Sequence, residues 1–229
     1  MTEHERMNKA LRVGRVDPLV VKILSRLAAT KLTEQFRIVG THAVYAYEAE
    51  AGLRVIPGAV ATQDIDLVWD VRKRVHFATQ LKRLDTSMLG VLKKVDPSFR
   101  IRPDHKYPAV NKAGFEVDII RRQAVEGDAH PIRLSDDEDD FWAAQAINAQ
   151  VLLDSPPFSS VIVASNGKMA RMNTIHPLVF ARFKRWMSAL KDRDPRKKAR
   201  DRLQAETVEG IVTTHLPHLR QGVTGPGVN

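Results

Sequence analysis

Apolar residues along the 229-residue chain switch between helical and strand spacing. From Asp17 to Gln35 they recur three and four apart at Leu19, Ile23, Leu24 and Leu27, which predicts an amphipathic helix. Asp17 suits its cap and Pro18 its first turn. Phe36 to Val39 reads as a short buried strand ended by Gly40, and residues 41 to 51 as a helix stopped by Gly52. Residues 53 to 63, with Pro57 and Gly58, read as a loop, and Asp64 to Trp69 as a strand with an acidic start. Val75 to Val95 reads as a long amphipathic helix with a break near Gly90, followed by a strand pair over Phe99 to Arg102 and Ala109 to Arg121. In the acidic run Ser135 to Asp140, Ser135 and Glu138 fit a capping box for a helix entering at Phe141 and Trp142, a reading preferred to a metal site. A hairpin turning at Asn166-Gly167 is expected over 156 to 172. Two basic amphipathic helices follow, His176 to Leu190 and Pro195 to Val212, and then a disordered tail. The chain has no internal repeat.

Composition narrows the class. Hydrophobic residues make up 43%, enough for a core. The absence of cysteine removes disulfides, thiolate zinc sites and cysteine nucleophiles, and fits a cytoplasmic location. No apolar run is long enough to cross a membrane, and the charged N-terminus is no secretory signal. The net charge of +9 suits a polyanionic partner, a nucleoside triphosphate or a nucleic acid, and equally a soluble basic protein.

Candidate chemistry concentrates in residues 39 to 70. Gly40-Thr41 joins a strand to a helix, where backbone N–H groups and a hydroxyl can meet an anion; such a pair also serves as a plain cap. Asp64 and Asp66 share one strand face, about 6–7 Å apart. Their mutual repulsion is ~2 kcal/mol at an effective dielectric near 20. Among Ile65, Leu67, Val68 and Trp69, such a pair either faces solvent at a strand start or holds a divalent cation, for which hard oxygen ligands suit magnesium. Asp118, between Val117 and Ile119, is a third acid able to face them if the strands are neighbours. Three carboxylates can hold two magnesium ions roughly 3.5–4 Å apart, the arrangement of in-line phosphoryl chemistry. Glu116 shares the face of Asp118, as an alternative third ligand or an exposed edge acid.

Taken in order, Gly40-Thr41, Asp64-Ile65-Asp66 and Val117-Asp118-Ile119 resemble the DNA polymerase β-like nucleotidyltransferase superfamily. The words VGTHAVYAYEAEAG, ATQDIDLVWD, FEVDII and HPLVFARFKRWMS are similar to a bacterial branch related to abortive-infection-type toxin enzymes. The similarity spans about residues 18 to 212. One departure is Thr41, where the superfamily carries Gly or Ser; the hydroxyl stays but a methyl group is added near the incoming phosphates.

The resemblance implies an α+β fold, a mixed sheet flanked by helices with a helical C-terminal part. It divides the chain into an extension (1–17), a nucleotidyltransferase core (18–132), a strand and helical subdomain (133–212) and a flexible tail (213–229). It also implies transfer of a nucleoside monophosphate from an NTP to an acceptor hydroxyl, with pyrophosphate released. Asp64 and Asp66 would ligate both magnesium ions, with manganese as an alternative, and Asp118 the one beside the acceptor. Gly40, Thr41 and Lys184 would hold the triphosphate. The acceptor is left open among tRNA, protein and small molecule, and the toxin relationship implies an antitoxin partner. Arg193, Arg196, Lys197, Lys198, Arg200 and Arg202 either contact an RNA acceptor or form a solvated helix face. His42 is either catalytic or packed. The competing function is a non-catalytic, basic nucleic-acid-binding protein on a transferase-like scaffold. A nuclease of the PD-(D/E)xK type is disfavoured because no Lys stands two places after Asp118.

Overall fold

A computed structural model describes residues 1–102, 104–128 and 130–220. The elements are α1 (Glu3–Ala10), α2 (Pro18–Ala29), β1 (Phe36–Val39), α3 (Ala43–Ala51), β2 (Asp64–Trp69), α4 (Arg74–Arg83), α5 (Met88–Lys93), β3 (Arg100–Arg102), β4 (His105–Val110), β5 (Glu116–Arg122), β6 (Ala144–Ala146), α6 (Ala149–Asp154), β7 (Pro157–Val163), β8 (Met169–Ile175), α7 (Pro177–Ala189) and α8 (Pro195–Thr214). Among the described residues the strands form one mixed sheet in the order β3-β4-β5-β2-β1-β8-β7, with β6 paired to β5. Strands from both sides of residue 132 share it, since β8 lies parallel to β1. The fold is α+β, a mixed sheet with helices on both faces.

Strand parity sorts the two faces. Ile65, Leu67 and Trp69 of β2, with Val117 and Ile119 of β5, join one core with Val20, Ile23, Leu24 and Leu27 of α2. Val68 points the other way, into a second core with Val44 and Tyr47 of α3, Phe180 of α7 and Val208 of α8. Asp64, Asp66 and Asp118 have the parity of Val68, so the sheet face that carries them is the one α7 and α8 cover.

Several boundaries differ from the sequence expectation, each for a local reason. The helix begun at Pro18 stops at Ala29, and Lys31 turns the chain at φ 56°. The long helix over 75–95 divides at Asp85 to Ser87, not at Gly90. Asp85 has φ 48°, and the Ser87 side chain accepts from the Gly90 N–H to start α5. The strand expected over 109–121 is two, β4 and β5, because Asn111 folds the chain back by accepting from the N–H groups of Ala113 and Phe115. No helix enters at Phe141 and Trp142. The last member of the acidic run, Asp140, instead caps α5 across the chain, accepting from the N–H groups of Met88 at 3.0 Å and Leu89 at 2.9 Å. The hairpin turns at Gly167, φ 86°, as expected. Of the tail assigned to 213–229, residues 213 and 214 end α8, a 3-10 turn spans Pro217–Arg220, and 221–229 lie outside the described residues. Among the described residues no helix is long and apolar enough to cross a membrane.

Candidate active site

β2 and β5 are parallel neighbours in a register that sets Asp66 beside Asp118 and Asp64 beside Glu116. Asp64, Asp66 and Asp118 therefore line one pocket of about 410 Å3 between the sheet and helices α7 and α8. Glu116 is drawn off, with Arg102 Nη2 donating to its carboxylate at 2.7 Å, so it is the edge acid and Asp118 the pocket acid. Thr62 donates its hydroxyl to Asp64. Among the described residues neither the Asp66 nor the Asp118 carboxylate accepts a hydrogen bond.

The electrostatics record that lack of partners. Asp66 is pushed up to about 7, first by burial and then by the charges of Asp64 and Asp118, against the opposing pull of Lys184 and Arg200. Asp118 is pushed up to about 6 by burial, Glu116 and Asp64, with His105 and Lys197 opposing. Three acids on one half-buried face thus lack a fixed cation strong enough to offset their repulsion. Hard carboxylate oxygens of this kind fit a divalent ion such as magnesium. The expected cage is not closed, however: among the described residues no three acidic, histidine or cysteine side chains are gathered closely enough to hold a metal.

Gly40 follows β1 opposite this acidic strand, Val39 pairing with Asp66. Its φ is +65°, and a Cβ there would overlap the Asp66 carboxylate, so both the turn and the close approach require glycine. Thr41 is 4% exposed and lines the pocket beside it. His42 does not line the pocket. Its ring packs against Tyr45 and Phe115 at 5.8 and 6.2 Å, and burial pushes its pKa down to about 4. It is a neutral packing residue near pH 7.

The opposite wall is basic and aromatic. Lys184 lines the pocket but is ion-paired, its Nζ 2.8 Å from Asp201 Oδ1. Arg193, also on the wall, holds the other oxygen of Asp201 at 2.9 Å. Lys197 and Arg200 complete the basic side, while Phe183 and Trp186, ring centroids 5.4 Å apart, form an apolar shelf. Trp69, by contrast, is core.

Asp201 and Gln204, both fully buried, escape a reading by motif. Their signal lay in periodicity. With Ala205, Val208, Ile211 and Val212 they occupy the buried stripe of α8, where polar residues need a partner.

No curated protein matches the chain. A solved structure of the antibiotic-resistance factor ANT(2'')-Ia aligns over 89% of this chain and 94% of that one, at 12% identity and a TM-score of 0.37. The nucleotidyltransferase family matches residues 19–223, from α2 to beyond the end of α8. Because that match takes in the turn at Gly40, the acidic strands and both covering helices, the chain belongs to the nucleotidyltransferase family, enzymes that transfer a nucleoside monophosphate.

Proposed function

We propose that the pocket binds an NTP with magnesium and transfers its nucleoside monophosphate to an acceptor hydroxyl. The observation that carries this is the opposition, in one 410 Å3 pocket, of Asp64, Asp66 and Asp118 to Lys184, Arg193, Lys197 and Arg200, with Gly40-Thr41 between them. A triphosphate with its counter-ions needs both signs of charge within reach.

Asp64, Asp66 and Asp118 would hold the magnesium, or manganese in its place, and Asp118 would lie on the acceptor side. Ions bound there would supply charge neutralisation at the α-phosphate and a lower barrier to ionising the acceptor hydroxyl. Gly40 lets the turn approach the Asp66 carboxylate closely, the Thr41 hydroxyl would meet a phosphate oxygen, and Lys184 and Arg193 would face the β- and γ-phosphates. The acceptor oxygen would bond to the α-phosphorus as the bond to pyrophosphate breaks, and the Asp118 carboxylate would help remove the hydroxyl proton. Phe183 and Trp186 give the nucleobase an apolar surface.

An RNA acceptor is favoured by exposed Lys191, Arg196, Lys197 and Arg202 around the basic side. The chain would then act in the cytoplasm. Growth arrest on expression, relieved by a co-encoded protein, would mark it as a toxin with an antitoxin.

The test is incubation with magnesium, labelled NTPs and cell extract. Label is expected on an acceptor with the wild-type chain and not with Asp64→Ala or Asp66→Ala. Equal labelling by wild type and both variants refutes the assignment. Salt-sensitive RNA binding with no transfer under any of the four NTPs would instead point to the non-catalytic reading.

A further inference from the structure

Behind Thr41 lies a fully buried amide that the proposed chemistry does not use. Gln204, on α8, donates through Nε2 to the Ala59 carbonyl at 2.8 Å and to the Thr41 hydroxyl oxygen at 3.0 Å. Its own Oε1 is buried without a partner. Exchanging the two ends of the amide would set Oε1 against the Ala59 carbonyl, acceptor to acceptor, so Ala59 dictates the orientation. Both Nε2 hydrogens are then committed, one to Ala59 and one to Thr41.

The consequence falls on Thr41. Its oxygen accepts from Gln204, and among the described residues its own hydrogen has no acceptor. A hydroxyl that accepts on one side is left to donate on another, and this one lines the pocket. The β-branched side chain is also stiff about χ1, so the oxygen is held where Gln204 finds it.

Resting on the nucleotide-binding reading above, we infer that Gln204 is a positioning residue that presets the Thr41 hydroxyl as a hydrogen-bond donor to a phosphate oxygen of the NTP. Threonine in place of the superfamily's Gly or Ser then has a purpose. The added methyl group limits rotation, and a long amide from α8 fixes the direction of the proton. The unpartnered Oε1 is the cost of that arrangement, since a buried acceptor left unmade is unfavourable.

The test is a double-mutant cycle read by equilibrium binding of inorganic tripolyphosphate and of ATP with magnesium. Thr41→Val and Gln204→Met are each expected to weaken both ligands about tenfold, and the double variant no further than either alone. Thr41→Ser should keep most of the affinity. In transfer assays KM should rise more than kcat falls. If Gln204→Met does not fold, Gln204→Glu closes the same cycle, because its carboxylate captures the Thr41 proton. Additive losses in the double variant, or wild-type affinity in the Gln204 variant while Thr41→Val binds weakly, overturn the inference and leave the proposed function standing. Wild-type protein that binds neither ligand overturns both.

Discussion

Replacing Asp66 by asparagine should make the metal-free protein more stable, and only above a defined pH. In the folded chain the Asp66 carboxyl titrates near 7, against 3.8 for an ordinary aspartate. A carboxyl whose folded pKa is raised favours folding while protonated. That contribution is complete below about pH 4, declines as pH rises, and is gone once pH exceeds about 7. Titration at about 7 in place of 3.8 corresponds to a ceiling of ~4 kcal/mol at about pH 8. Asp66 keeps some contact with pocket water, which screens it, so about half, ~2 kcal/mol, is the working figure. Asparagine has nearly the same shape and no charge. For a chain of this size ~2 kcal/mol moves the melting temperature by about 4–8 °C.

The assay is thermal melting of wild type and Asp66→Asn in EDTA from about pH 4 to about pH 8. The variant should melt higher at pH 8, and the two curves should converge at pH 4. Adding magnesium to ten times its dissociation constant should then raise only the wild type, by ~1.4 kcal/mol or about 3–6 °C. A variant that melts at or below wild type in EDTA at about pH 8 would refute the electrostatic account. So would a gain that persists undiminished at pH 4.

Three further substitutions probe the frame around the site. Gly40→Ala adds a Cβ onto the Asp66 carboxylate at a positive φ, and should cost ~2–4 kcal/mol in urea melts and abolish nucleotidyl transfer; near-normal stability and activity would contradict the close approach. Asp140→Ala removes the acceptor for the Met88 and Leu89 N–H groups, and should lower stability by ~1–2 kcal/mol, seen as faster hydrogen exchange confined to α5. The part-buried Glu48 carboxylate accepts from Arg15 and from the Val55 N–H, so Glu48→Gln should cost ~2–3 kcal/mol while leaving NTP affinity unchanged.

The acidic strands were readable because their chemistry and their geometry share a period of two. Asp64 and Asp66 interrupt an apolar strand, and Asp118 interrupts another, so parity alone places them on one sheet face once the strands are neighbours. Neighbourhood itself is non-local, and nothing in either segment specifies that β2 and β5 are parallel partners. Local turn chemistry decided the boundaries that were misread. Asn111 makes a hairpin by accepting two backbone N–H groups, and Asp85 breaks a helix by adopting a left-handed conformation; both are ordinary polar residues in a pattern search. The acidic run failed differently. Ser135 and Glu138 satisfy a local capping rule, yet Asp140 caps a helix some fifty residues earlier, because the fold brings that N-terminus to it.

The same distinction governs the site. Groups expected to touch substrate are set by short motifs, whereas groups that orient them sit where chain neighbours give no hint. The resemblance gives Lys184 to the triphosphate; in the fold it shares Asp201 with Arg193, and both cations reach the pocket wall as a held pair. One carboxylate between two cations leaves a single net positive charge directed at the anion. It also fixes the geometry of both against their own repulsion, since removing Asp201 would leave two like charges to separate. Asp201→Asn should therefore weaken NTP binding despite raising the net positive charge of the wall. Tighter binding by that variant would show that charge, and not placement, limits the site.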